Sequence, residues 1–414
     1  MQKVAVRCCI AGGGPAGVMA GMLLARAGVD VLVLEKHADF FRDFRGDTIH
    51  PSTLEVMHEL GILDDFLALP HQNADHLSFQ FGAVTGVIAD FKRTKLRCPY
   101  IAFMPQWDFL NFIARYAARY PTFSLKMSAE ATGLIEERGR VVGVAATTPR
   151  GPLEVRADLV IAADGRHSIL RDQAGLVMED FGAPMDVLWF SLPRVPGDPD
   201  ETMGRFDPGS VLIAIDRRVY WQFGAVIPKG AFEEVKSRGL PAFRAKLKEL
   251  APYLGERVEQ LDDWAKVKLL TVQVNRATTW HRPGFLAIGD AAHAMSPVGG
   301  VGINLAVQDA VAAANILAAP LAERCVTESD LARVQKRREF PMRVIQAFQI
   351  MVQNCVLSRV LGETGSMKPP LLVAVLRRFP ALRGIPARLL GAGVRPEHVA
   401  ILPRWPEKEP QGEG

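Results

Sequence analysis

The sequence predicts an α/β fold in which a parallel-sheet domain is interrupted by an antiparallel sheet and followed by C-terminal helices. Three observations predict it. An apolar run from Val4 to Ile10 ends in glycines and leads through a small-residue helix into a second apolar run, Val31 to Leu34, which is the pattern of a βαβ unit. Two later runs, Leu159 to Ala163 and Phe285 to Ile288, read as further strands buried on both faces, each entering an Asp-Gly or Gly-Asp pair. Residues 76 to 92 and 185 to 227 instead alternate apolar with polar and carry aromatic and β-branched side chains, as half-buried antiparallel strands do.

The elements follow in order. Residues 15 to 27 carry a helical small-residue pattern. Residues 51 to 69 read as an amphipathic helix begun at Pro51 and stopped near Gly61, and 106 to 119 as another with Phe109, Phe112, Ile113 and Tyr116 on one face. Asp216-Arg217-Arg218 is the expected turn between two strands of the antiparallel sheet. The first domain is therefore discontinuous, over residues 1–72, 98–175 and 270–340. The sheet domain takes 73–97 and 176–269, and 341–414 forms a C-terminal helical segment and tail.

Composition narrows the class. In 414 residues, 49% are hydrophobic and 23% charged, which excludes disorder and a coiled-coil rod. A net charge of +4 is no footprint for nucleic acid. Cys8, Cys9, Cys98, Cys325 and Cys355 are odd in number and lack CxxC spacing, so neither a disulfide framework nor a metal site is expected, and a reducing cytoplasm fits. The first strand lacks a cleavage site and is no signal peptide, and the purely apolar runs fall short of the ~20 residues of a membrane span.

The chemistry starts at Gly12-Gly13-Gly14-Pro15-Ala16-Gly17, a GxGxxG. Its first glycine allows a tight turn, its second lets a pyrophosphate approach the backbone, and its third brings helix and strand close. The helix start beyond offers free amides and partial positive charge to phosphates. Glu35 ends the second strand 23 residues after Gly12, where a carboxylate can accept from both ribose hydroxyls. Dinucleotide binding is the reading of this unit. Further on come Ala163-Asp164-Gly165-Arg166-His167-Ser168 with Arg171, and then Gly289-Asp290-Ala291-Ala292-His293 continuing to Pro297, Gly299, Gly300, Val301, Gly302, Ile303 and Asn304.

With these three motifs in order, the chain resembles the flavoprotein aromatic hydroxylases, the single-component FAD-dependent monooxygenases of the para-hydroxybenzoate hydroxylase type, from residue 4 to about 310. The resemblance implies a Rossmann-like FAD-binding domain of the GR2 type with an inserted substrate sheet. It implies FAD as cofactor, NAD(P)H as a transient co-substrate, and dioxygen added to give a flavin C4a-hydroperoxide. The expected cofactor contacts are Gly12, Gly14, Pro15, Ala16, Gly17, Glu35, Lys36, Arg45, Gln106, Asp164, Gly289, Asp290, Pro297, Gly300, Val301, Gly302, Ile303 and Asn304. Arg45 matches the family arginine beside FAD, while Gln106 has a plain alternative as a helix-starting residue. Asp290 would accept from a ribityl hydroxyl. Pro297, Gly299 and Gly300, with Arg45, are the catalytic candidates, because a glycine-bared helix start stabilises negative charge on a reduced flavin. His167 and His293 read as local hydrogen-bonding residues rather than general bases. Lys36 and Arg42 would suit the 2′-phosphate of NADPH, unless they are ordinary solvated loop charges.

Phe81, Trp189, Trp221 and Phe223 of the middle sheet are the candidates for an apolar substrate pocket, although alternation turns half of the sheet's aromatics elsewhere. From Lys368 to Trp405, seven basic residues face one acid, Glu397. That stretch suits either peripheral contact with anionic lipid or helices packed on the body with solvated arginines. Met342 to Met351 reads as helix core. The expected activity is hydroxylation or epoxidation of an apolar, aromatic or polyketide- or quinone-like small molecule. The alternatives are an FAD-dependent reductase or desaturase of the geranylgeranyl-reductase kind and a flavin-holding protein that sequesters its ligand.

Overall fold

A computed structural model describes residues 2–41, 48–200, 202–362, 369–401 and 403–404. The first sheet is built around the strand Gln2–Ala11, which pairs in parallel with Val31–Leu34 on one side and Gly151–Ala162 on the other. Phe123–Lys126 extends it beyond Val31–Leu34, and Phe285–Ala287 beyond Gly151–Ala162, again in parallel. Except for Phe123–Lys126, which is only partly buried and leaves no such run, their inner ends are buried on both faces, so continuous apolar runs betrayed them. Gly151–Ala162 begins eight residues before the run that revealed it. Its first half is half-buried and pairs with the antiparallel strand Arg140–Thr148, which in turn pairs with Glu130–Glu137, and neither of these has a continuous apolar signature.

The helices Pro15–Arg26 and Gly302–Ala322 pack against each other beside this sheet, and Gln106–Ala117 lies against the first. The second predicted helix is split, as Gly61 requires, into Pro51–Glu59 and Leu63–Leu67. Gly61 takes φ +72°, where a side chain would be strained.

The second sheet runs in the order Lys268–Leu270, Met185–Pro193, Tyr220–Pro228, Ser210–Asp216, Met203–Asp207, His76–Phe81 and Val84–Asp90. The turn at Asp216 is closed by its carboxylate, which accepts from Arg218 N at 2.7 Å, with Arg218 at φ +65°. One pairing departs from the antiparallel expectation: Met203–Asp207 and His76–Phe81 run parallel, because they come from separate chain segments with no hairpin between them. The helices Phe232–Ser237 and Gly239–Leu250, which the sequence reading missed, cover one face of the sheet.

Two helices, Val298–Ala322 and Glu328–Gly362, are by length and composition alone apolar enough to cross a membrane, a test that a buried core helix also passes. The first is a core helix, with 72% of its apolar window buried. Glu328–Val352 starts with a capping box between Thr327 and Asp330. The short helices Leu371–Arg378 and Gly384–Gly391 then pack on Val84–Asp90, and the chain returns along the first sheet's helices to Arg404, whose N donates to Arg26 O at 3.0 Å.

Candidate active site

A cavity of about 910 Å³ runs from the Gly12 turn to the inner face of the second sheet. At its near end Gly12 takes φ +107°, and a Cβ there would lie 2.3 Å from Ala163 O. A Cβ on Gly17 would come within 1.9 Å of Gly12 O, so Gly17 permits the close helix–strand contact without reaching the cavity wall itself. Gly14 has open space where its Cβ would stand. The helix beginning at Pro15 has no side-chain cap and no acid in its first turn. Its amides are therefore available to an anion. Glu35 Oε2 accepts from Gly13 N at 2.9 Å and its Oε1 from His37 N at 3.0 Å, which fixes the carboxylate on the wall. Lys36 and Gln106 line the same end; Arg45 and Arg42 lie outside the described residues.

Asp164 lines the middle of the cavity. Burial raises its pKa, against hydrogen bonds from Ser168 and the Leu170 backbone and the charge of Arg171. Ser168 itself caps the helix Ile169–Gln173, accepting from Arg171 N at 3.0 Å. Arg166 and Asp290 face each other across the cavity wall at 3.5 Å. Behind Asp290, the Gly289 N–H donates to Asp309 Oδ2 at 3.1 Å, and the same oxygen accepts from His293 Nε2 at 2.7 Å. Asp309 Oδ1 accepts from Arg338 Nε at 3.0 Å. His293 thus does local structural work, as expected, while His167 lies on the wall.

The far end is closed by Pro297, Val298, Gly299, Gly300, Gly302 and Ile303. Gly299 and Gly300 take φ +78° and +62°, and the helix Gly302–Ala322 starts with no side-chain cap and no first-turn acid. This loop is held from outside by a segment that sequence reasoning missed. Thr48 Oγ1 donates to Gly300 O at 2.5 Å, and His50 Nε2 lies 3.2 Å from the same carbonyl. Burial lowers the His50 pKa to about 4, so the ring is neutral near neutral pH, and because a carbonyl only accepts, its proton sits on Nε2. Ser52 and Thr53 donate to Asn304 Oδ1 at 2.6 and 2.8 Å. Val301 and Asn304 are accordingly buried behind the cavity wall rather than on it. Hydroxyls and an imidazole spaced over six residues carry no motif, and only the fold reveals their common target.

The inner sheet face presents Phe79, Phe81, Val187, Trp189, Phe206 and Ile213 to the cavity. Trp221 and Phe223 do not belong there. They project from the opposite face of their strand, Phe223 stacked on Phe190 at 5.4 Å and Trp221 Nε1 donating to Asp198 at 2.8 Å. Alternation decides it: Gln222 and Val226 of the same strand line the cavity. Gln222, buried, accepts at Oε1 from Arg217 Nε at 3.1 Å and was not foreseen. The C-terminal segment supplies a further wall through Phe348, Val352, Val356, Leu372, Leu376 and Ile385. The reading of 342–351 as core holds for Met342 and Ile345, but Phe348 faces the cavity.

The residues present fit a flavin dinucleotide. Amide donors at two uncapped helix starts suit a diphosphate and a developing negative charge, carboxylates at Glu35 and Asp290 suit hydroxyls, and the cavity joins them. Residues 5–348 match the family described as FAD binding domain. The 6-methylpretetramide 4-monooxygenase of Streptomyces rimosus is 31% identical over 385 residues, covering 92% of this chain and 91% of that one. The chain belongs to the FAD-dependent aromatic monooxygenases. It is an enzyme, and FAD is its cofactor. A digeranylgeranylglycerophospholipid reductase of Methanopyrus kandleri is 27% identical over 348 residues, 81% of this chain and 86% of that one. Among solved structures, p-nitrophenol 4-monooxygenase PnpA from Pseudomonas putida shares the fold at a TM-score of 0.71 with 21% identity, over 93% of this chain and 99% of that one.

Proposed function

We propose that this monooxygenase hydroxylates or epoxidises a flat, apolar aromatic or polyketide-like molecule, with NAD(P)H as reductant and dioxygen as oxidant. The observation that carries the proposal is the continuity of one cavity from the phosphate-binding turn to the apolar face holding Phe81 and Trp189. The relative named for 6-methylpretetramide supports the substrate class. Bound FAD would take a hydride from NAD(P)H and activate dioxygen, one oxygen atom going to the substrate and the other leaving as water.

The chain's own residues bind, orient and exclude water. The Gly14 and Ala16 amides at the glycine turn would hold the diphosphate, Glu35 the ribose hydroxyls, Asp290 the ribityl chain, and Gln106 and Asp164 would flank them. The loop Pro297–Gly302 and the following helix start place amides and dipole against developing negative charge, and removing one such donor costs a few kcal/mol. Phe81, Trp189, Phe206 and Ile213 keep the reacting end dry.

NAD(P)H oxidation stimulated by candidate phenols and polyketides, with product analysis, tests the proposal, and an oxygenated product supports it. The reductase relative favours a second reading in which a double bond is saturated, and a hydrogenated product without oxygen consumption would establish that instead.

A further inference from the structure

The cavity opens beneath two short helices whose outward faces are apolar and basic. Leu371–Arg378 and Gly384–Gly391 bury Val373, Leu376, Ala387 and Leu390 against the body. Their other face leaves Leu371 81% and Ile385 66% exposed, with Leu372, Phe379 and Leu382 also standing in solvent. Five large apolar side chains within fifteen residues form a patch of the kind that marks an interaction surface. Leu372, Leu382 and Ile385 also line the cavity, so the patch borders an opening of it.

Charge says what covers it. Residues 369–396 contain five arginines and no aspartate or glutamate. Among the described residues, Arg377, Arg378, Arg383 and Arg388 form no ion pair; Arg378 lies 5.4 Å over the Phe379 ring and Arg383 Nε donates to Leu376 O at 3.0 Å. Two such faces would repel each other, which argues against a second copy of this chain. Apolar side chains interspersed with arginines on helices of eight residues match an anionic bilayer, whose acyl chains accept the leucines while its headgroups meet the guanidiniums.

We infer that this face seats the enzyme on an anionic lipid surface, with the cavity mouth toward the membrane, so that an apolar substrate enters from lipid. The purpose rests on the apolar-substrate reading, but the binding does not, and the test reads no turnover. FAD-loaded full-length enzyme is floated with vesicles of phosphatidylcholine, with and without phosphatidylglycerol. The result expected is flotation with phosphatidylglycerol, reversed by salt, and at least tenfold weaker on neutral vesicles. Leu371→Asp with Phe379→Asp, and separately Arg377→Glu with Arg378→Glu, should each weaken flotation tenfold or more while leaving FAD content and the thermal midpoint unchanged. Absence of flotation on phosphatidylglycerol, or flotation that all four changes leave intact, overturns the inference. So does self-association in sedimentation that the Leu371 and Phe379 changes abolish without any vesicle binding, and so does salt-sensitive capture by an acidic protein in place of vesicles.

Discussion

Replacing Asp309 by asparagine tests how the wall behind the Gly289-Asp290 turn is held. Asp309 is fully buried and accepts from His293, Arg338 and Gly289 N. Burial by itself would raise its pKa, but the charges and hydrogen bonds of His293 and Arg338 outweigh it and hold the carboxyl below its usual range. Asparagine leaves the buried Arg338 with Glu397 as its anionic partner, at 3.3 Å. Removing one member of a buried pair costs roughly 3–5 kcal/mol, and because Glu397 remains, the lower end applies, about 3 kcal/mol or on the order of a hundredfold in the folding equilibrium. The assay is the urea midpoint of FAD-free enzyme, which removes ligand linkage. The pH dependence has a definite sign. A depressed folded-state pKa gives stability that is present above the unfolded value, about 3.9, and lost as pH falls through the folded one, so the variant should lose part of the parent's acid-side decline. A variant within about 0.5 kcal/mol of the parent, with the same acid limb, would refute the reasoning.

Three further outcomes are expected. Gly300→Ala puts a Cβ 2.4 Å from Thr48 Oγ1 at φ +62°, so FAD affinity, read by fluorescence titration of the apoenzyme, should fall at least tenfold, and unchanged affinity would show that the loop does not face the cofactor. Trp189→Ala should raise KM for the substrate on the order of tenfold, while Trp221→Phe leaves KM unchanged, since only Trp189 lines the cavity; equal effects would contradict this division of the sheet. Asp198, its pKa lowered to about 2 chiefly by hydrogen bonds from Arg257, stabilises the fold above about pH 4 and loses that contribution as pH falls toward 2. Asp198→Asn should therefore lower the urea midpoint at neutral pH with little change near pH 2, and a uniform decrease across that range would contradict it.

The parallel strands and their glycine turns were legible because burial on both faces and tight phosphate geometry leave marks in adjacent residues. The second sheet was legible only by alternation, which identifies two faces without saying which is inner, and this is how Trp221 and Phe223 were misplaced. The grip of Thr48, His50, Ser52 and Thr53 on residues 300 and 304 was invisible because it joins segments about 250 residues apart through single hydrogen bonds. The helices over residues 371–391 showed their basic charge in sequence. Their place at the cavity mouth depended on packing against Val84–Asp90.

The most direct measurement is incorporation of isotopically labelled dioxygen by the FAD-reconstituted enzyme with NAD(P)H and an accepted aromatic substrate. One labelled oxygen atom is expected in each product molecule and the second in water. Product free of the label, or saturated product formed without oxygen uptake, would contradict it.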